Sequence, residues 1–122
     1  MPRFALLEHT GAPDDPTGRH VDLLVEDGDQ CRTWRLADLP DADGPAVTAV
    51  EIAPHRLAWL DHLDGPVSDG RGHARQIESG TCRLVSHRGD AVIEIQSGSS
   101  AVFLRIRDGF CAATREQPEW PF

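Results

Sequence analysis

The chain has 122 residues, with 20 acidic and 12 basic side chains and a net charge of −8. A length of this order makes one domain, residues 1–122, which buries ~65% of its unfolded surface without needing a staple. The acidic balance excludes broad, non-specific binding along a nucleic-acid backbone, and the absence of lysine and tyrosine excludes Schiff-base, lysyl-nucleotide and tyrosyl-nucleophile chemistry.

In chain order, alternating or apolar runs predict strands over Arg3–Glu8, Val21–Glu26, Cys31–Leu36, Val47–Ile52, His73–Glu78, Thr81–Ser86, Ala91–Gln96, Ala101–Arg107 and Phe110–Thr114. Asp27-Gly28, Ser79-Gly80, Arg88-Gly89-Asp90, Ser97-Gly98 and Asp108-Gly109 are turn signals between them. Pro13–Gly18 and Pro40–Pro45 read as acidic loops. Pro54–Leu63 carries Leu57, Leu60 and Leu63 at helical spacing and reads equally as a short helix or a strand. The tail through Trp120 and Phe122 is expected to be extended and packed on the domain. The regular spacing predicts an all-β, mainly antiparallel fold: a small β-barrel with flanking loops and at most one or two short helices. Trp34 and Trp59 are expected in the core. Cys31, Cys82 and Cys111 are scattered, with no C-x-x-C pair, and predict buried reduced thiols. The opening residues lack the apolar run of a signal peptide and no stretch reaches membrane length, so a cytoplasmic protein with no membrane association is expected.

The chemistry concentrates near the start of the chain. In Arg19-His20-Val21-Asp22-Leu23-Leu24-Val25-Glu26, residues two apart share a strand face, so His20 and Asp22 project together. Val21, Leu23 and Val25 line the other face. An imidazole and a carboxylate side by side can chelate a divalent metal, and His9, beyond the first strand, supplies a third ligand. Two histidines and one carboxylate leave coordination positions open, as a catalytic metal requires. The metal-free alternative is a local hydrogen-bonded pair between His20 and Asp22.

The order of landmarks resembles the phosphoesterase domain of bacterial DNA ligase D and its small stand-alone relatives. The matching segments are Leu7-Glu8-His9, then His20-Val21-Asp22-Leu23-Leu24-Val25-Glu26, then Thr33-Trp34, Arg56-Leu57-Ala58, Leu63–Gly72 and Gln76–Gly80. The resemblance implies a small β-barrel that binds Mn²⁺ (or another divalent metal such as Zn²⁺ or Co²⁺) through His9, His20 and Asp22. It also implies hydrolysis of phosphoesters at DNA or RNA 3′ ends during repair. The partners it implies are such ends or, for a catalytically impaired relative acting as a binding module, a nucleic-acid end or a repair protein. Leu24 stands where the family has a phosphate-contacting arginine, and the segment Trp59–Leu63 lacks the family's tyrosine. Arg3 and Arg71 are the candidate replacements for the arginine, with Arg75 behind them. His62 is the candidate proton donor to the leaving oxygen, and His55 and His73 are the other candidates for the family's missing histidine. Asp14 and Asp15 are read as a solvated turn rather than as extra ligands.

Overall fold

The computed structural model describes residues 1–97 and 100–118. Its strands are β1 (Arg3–Thr10), β2 (Arg19–Asp27), β3 (Gln30–Leu36), β4 (Val47–Arg56), β5 (Asp64–Pro66), β6 (His73–His87), β7 (Asp90–Ser97), β8 (Ser100–Arg107) and β9 (Phe110–Thr114). They form one antiparallel sheet in the order β1-β2-β3-β4-β9-β8-β7-β6-β5, and a further pairing of β1 with β6 closes it into a ring. The all-β, barrel-like expectation is therefore met. The ambiguous segment resolves into a 3₁₀ helix, Leu57–Asp61. Among the described residues no helix is long and apolar enough to cross a membrane. The expected positions of Gly98, Trp120 and Phe122 lie outside the described residues.

Tight turns fix the register. Arg88-Gly89 joins β6 to β7 with φ of 52° and 87°, and Asp108-Gly109 joins β8 to β9 with φ of 52° and 82°. Two successive positive φ values give a turn whose twist matches the flanking strands. Gly28-Asp29 links β2 to β3, so Glu26 pairs with Cys31, Leu24 with Thr33 and Asp22 with Arg35. That register places Asp22 and Arg35 side by side on one face.

Alternation then divides the strands into two faces. Phe4, Leu6, Val21, Leu23, Val25, Trp34 and Leu36 meet Ile93, Ile95, Leu104, Ile106, Cys111 and Ala113 in one apolar cluster fed from both halves of the ring. This is the inside of the closed sheet. On the outer face, Ala5, Leu7, Leu24 and Cys31 pack beneath Leu60 of the 3₁₀ helix, with Leu57 and Trp59 at the margin. Trp34 is a core residue as expected, whereas Trp59 is half-buried at this outer patch. The three cysteines are buried and unbridged, as the sequence predicts, and burial pushes Cys31 and Cys82 up to about 11 and Cys111 up to about 12.

Three features depart from the sequence reading. The strands expected over His73–Glu78 and Thr81–Ser86 are one continuous strand, β6. Gly80 is not a turn residue. A Cβ there would lie 2.4 Å from the Gln96 carbonyl oxygen and 3.2 Å from the Phe4 ring, so glycine serves a close approach of neighbouring strands. β4 runs on through Pro54, which falls at the register shift between β3 and β4 and beyond the β9 pairing, and such a bulge tolerates proline. β5, three residues long and containing Gly65 and Pro66, gives no strand signal in the sequence.

Candidate metal centre

β1 and β2 pair so that His9 faces His20 and Leu7 faces Asp22. Their shared outer face therefore carries the sequence-predicted trio as neighbours. One ligand atom from each of His9, His20 and Asp22 lies within 4.8 Å of the others. His20 and Asp22 are buried, at 2% and 4% exposure. The two rings meet edge to face, with centroids 4.8 Å apart.

The hydrogen bonds around the trio orient its lone pairs. His20 Nδ1 lies 2.7 Å from Asp15 Oδ2, so it donates to that carboxylate. His9 Nε2 lies 2.7 Å from the Arg71 carbonyl oxygen, which can only accept. In the neutral form, each imidazole then keeps a lone pair on its other nitrogen. These nitrogens, His20 Nε2 and His9 Nδ1, sit 3.4 Å and 3.7 Å from Asp22 Oδ2. Three electron-rich atoms converge with no donor between them.

Gly72 makes the His9 contact possible. It has φ of 91°, and a Cβ there would lie 2.1 Å from the Thr10 carbonyl oxygen. Only glycine lets the Ser68–Gly72 loop lie against the end of β1 and bring the Arg71 carbonyl to His9. Across the site, the loop before β2 is folded by Asp15, which accepts from Thr17 N at 2.9 Å and Thr17 Oγ1 at 2.6 Å. The Thr17 and His20 bonds hold the Asp15 carboxyl down at about 2. Asp15, expected to be a solvated turn, is instead a built support for His20. For His20 itself, burial disfavours the charged form, but the Asp22 and Asp15 carboxylates outweigh it and raise the imidazole pKa.

Two of the trio, His9 and Asp22, line an open cleft of about 720 Å³ together with Arg35, His55, Trp59 and Arg71. Arg35 approaches Asp22 Oδ1 at 3.9 Å through Nε and Asp14 Oδ2 at 3.2 Å through Nη1. His55 stands edge-on to Trp59, with centroids 6.0 Å apart. Burial, partly offset by the nearby Asp22 charge, lowers the His55 pKa. Among the described residues, the buried side-chain atoms without a hydrogen-bond partner are His20 Nε2, Asp22 Oδ1, Arg35 Nε, His55 Nδ1 and Arg105 Nε. All but the last belong to this site. Buried polar atoms are normally paired, and here four of the exceptions cluster around the trio and Arg35.

The other sequence candidates fall elsewhere. Arg3 donates through Nη2 to Asp61 at 2.7 Å, tying β1 to the 3₁₀ helix. His62 stacks on Trp59 at 4.7 Å and donates to the Ala74 carbonyl at 2.9 Å. Neither lines the cleft. Arg71 does, and its Nε is spent on the Ser68 carbonyl at 2.9 Å. Arg75 and Arg19 share Glu8, and His73 pairs with Asp64. Leu24 is fully buried in the outer apolar patch, and the cation that the structure sets beside Asp22 is Arg35.

No family profile matches the chain, and no curated protein matches it.

Proposed function

We propose that the protein binds one divalent metal ion, Mn²⁺ or a similar ion such as Zn²⁺ or Co²⁺, through His9 Nδ1, His20 Nε2 and an Asp22 oxygen, and hydrolyses phosphoesters at nucleic-acid 3′ ends. The observation that carries the metal is the convergence of two anchored imidazole lone pairs on one carboxylate. Protons held by outer acceptors fix the tautomers that metal-bound histidines need. Ligand atoms sharing one ion at bonds of about 2.0–2.2 Å lie roughly 3–3.5 Å apart, close to the Asp22 separations. The phosphoester substrate rests on the resemblance to the DNA ligase D phosphoesterase domain and on the cleft's cations. Arg35, Arg56 and Arg71 line the cleft beside Asp14 and Asp22, an excess of one cation in a chain of net charge −8, which favours an anionic ligand.

A bound divalent ion would supply Lewis-acid charge for the phosphate and a lower pKa for water. The chain's own residues do the rest. Asp15 and the Arg71 carbonyl hold His20 and His9 in orientation. Arg35 offers a guanidinium beside the trio, where added negative charge in the transition state is stabilised. His55, kept neutral by burial and with Nδ1 unpartnered, takes a proton from water or returns one to the leaving oxygen. Trp59 forms an apolar wall beside it.

Leu24 favours a second reading, in which the cleft binds a nucleic-acid end or a repair protein without turnover, since a buried leucine offers no charge where the resembling family has arginine. Calorimetric titration of Mn²⁺ into metal-stripped protein, beside Asp22→Ala and His9→Ala, tests the centre. Phosphate release from a 3′-phosphorylated primer–template with Mn²⁺ then tests the reaction. Binding lost in both variants together with phosphate release supports the first reading. Binding without release selects the second, and no binding by the parent chain overturns the metal centre.

A further inference from the structure

Arg35 and Asp14 form a contact that holding a metal does not require. Asp14 is exposed, with 71% of its side chain in solvent, and it places Oδ2 3.2 Å from Arg35 Nη1. Arg35 is three-quarters buried, lies beside Asp22 through the β2–β3 register, and leaves Nε buried with no partner. One edge of the guanidinium is thus covered by a carboxylate from a surface loop, and the other is an empty donor turned toward Asp22 Oδ1 at 3.9 Å. A carboxylate oxygen on a guanidinium nitrogen makes the kind of charge-assisted contact that a phosphate oxygen makes there. Asp14 precedes Asp15, which holds His20, so a single loop serves both the trio and the arginine.

We propose that Arg35 is the residue that receives the oxyanion of the ligand and that Asp14 occupies it as a surrogate anion, which an entering phosphate displaces. The identity of the oxyanion as a phosphate rests on the function proposed above; the latch between Asp14 and Arg35 rests on the geometry alone. Displacement exchanges one exposed ion pair at Nη1 for a charge-assisted contact of phosphate at the same Nη1 edge. Exposed pairs contribute little, so the latch selects against weak anions without blocking a phosphate held at two points. Nothing covalent changes: one carboxylate leaves to solvent and one phosphate takes its place.

The test is calorimetric titration of inorganic phosphate into the full chain, with and without Mn²⁺, for the parent, Asp14→Asn, Arg35→Gln and the double variant. Phosphate affinity is expected to fall about 10- to 100-fold in Arg35→Gln and to rise about two- to fivefold in Asp14→Asn. On the Arg35→Gln background, Asp14→Asn is expected to add nothing. An equal gain on both backgrounds would reduce Asp14 to a through-space charge and overturn the latch. Unchanged affinity in Arg35→Gln, or no phosphate binding by Asp14→Asn, would overturn the role of Arg35. Circular dichroism checks folding, and should Arg35→Gln fail to fold, Arg35→Lys replaces it with the same expectation, since lysine keeps the charge but not the planar fork. Mn²⁺ isotherms are read separately. A parent chain that binds no Mn²⁺ overturns the metal centre, while the order of phosphate affinities without metal still decides the fate of Arg35 and Asp14.

Discussion

The two faces of β2 carry the same backbone, the same neighbours and the same register, yet they do opposite things. Val21, Leu23 and Val25 point into the ring, where every partner is apolar and each is completely buried. His20, Asp22 and Leu24 point outward, where Leu24 joins a small apolar patch and the two polar residues keep atoms without partners. Burial on the inside is satisfied by dispersion and exclusion of water. Burial on the outside is nearly as complete for His20 and Asp22 but leaves electrostatic demand unmet. One face closes the fold, and the other sets His20 and Asp22 side by side with His9.

Paired substitutions separate the faces most sharply. Leu23→Ala opens a cavity in the ring and is expected to cost about 3–5 kcal/mol in a denaturant melt, with Mn²⁺ affinity unchanged once folded. Asp22→Ala is expected to cost less in the metal-free protein, because it removes a carboxylate whose Oδ1 has no partner. It is also expected to abolish the stabilisation that Mn²⁺ at the proposed centre would give the parent, about 2.7 kcal/mol at a concentration 100 times Kd. A metal-induced shift that survives in Asp22→Ala would break the distinction between the faces.

Gly72→Ala comes next, and it acts on the outer face alone. Positive φ and a Cβ 2.1 Å from the Thr10 carbonyl make the substitution strained, at a cost of about 2 kcal/mol or more. Moving the loop takes the Arg71 carbonyl away from His9 Nε2, so Mn²⁺ affinity is expected to weaken about 10- to 100-fold, the usual effect of losing an outer partner. Stability lost with Mn²⁺ affinity intact would mean that the carbonyl does not orient His9.

What could be read from the sequence follows the same division. The period-two pattern of Val21–Glu26 and the turn glycines are local signals, and they account for most of the strands, the inner face and the pairing of His20 with Asp22. His9 follows from its place at the end of the first strand and from the resemblance, and the structure sets it opposite His20. Arg35 escaped notice although its position was implicit: Glu26 opposite Cys31 carries on, two residues at a time, to Asp22 opposite Arg35. Asp15 and the Arg71 carbonyl were not legible, since each reaches the trio through loop geometry that no periodicity encodes. Gly80 misled for a related reason. Glycine marks both turns and close strand approaches, and only the neighbouring strand tells which. Arg3 and His62 share a sequence neighbourhood with the site, but their side chains are drawn to Asp61 and Ala74 instead.

The smallest expected effect is the one that titrates. On the inner face, the thiols of Cys82 and Cys111 are pushed up to about 11 and about 12, far above neutrality. On the outer side, burial holds the His55 pKa below its ordinary value. A histidine whose folded pKa is depressed adds stability that is fully present above its unfolded value, about 6.5, and is lost as pH falls through the folded one. His55→Gln has no such group, so the stability difference between the parent and this variant is expected to shrink as pH drops from about 7 to about 5. Leu23→Ala, compared in the same way, is expected to show a constant difference. Denaturant melts across this window decide the matter. A parent-to-His55→Gln difference as flat as that of Leu23→Ala would mean that His55 stands in water-like surroundings. It would then have no special claim to proton transfer in the cleft.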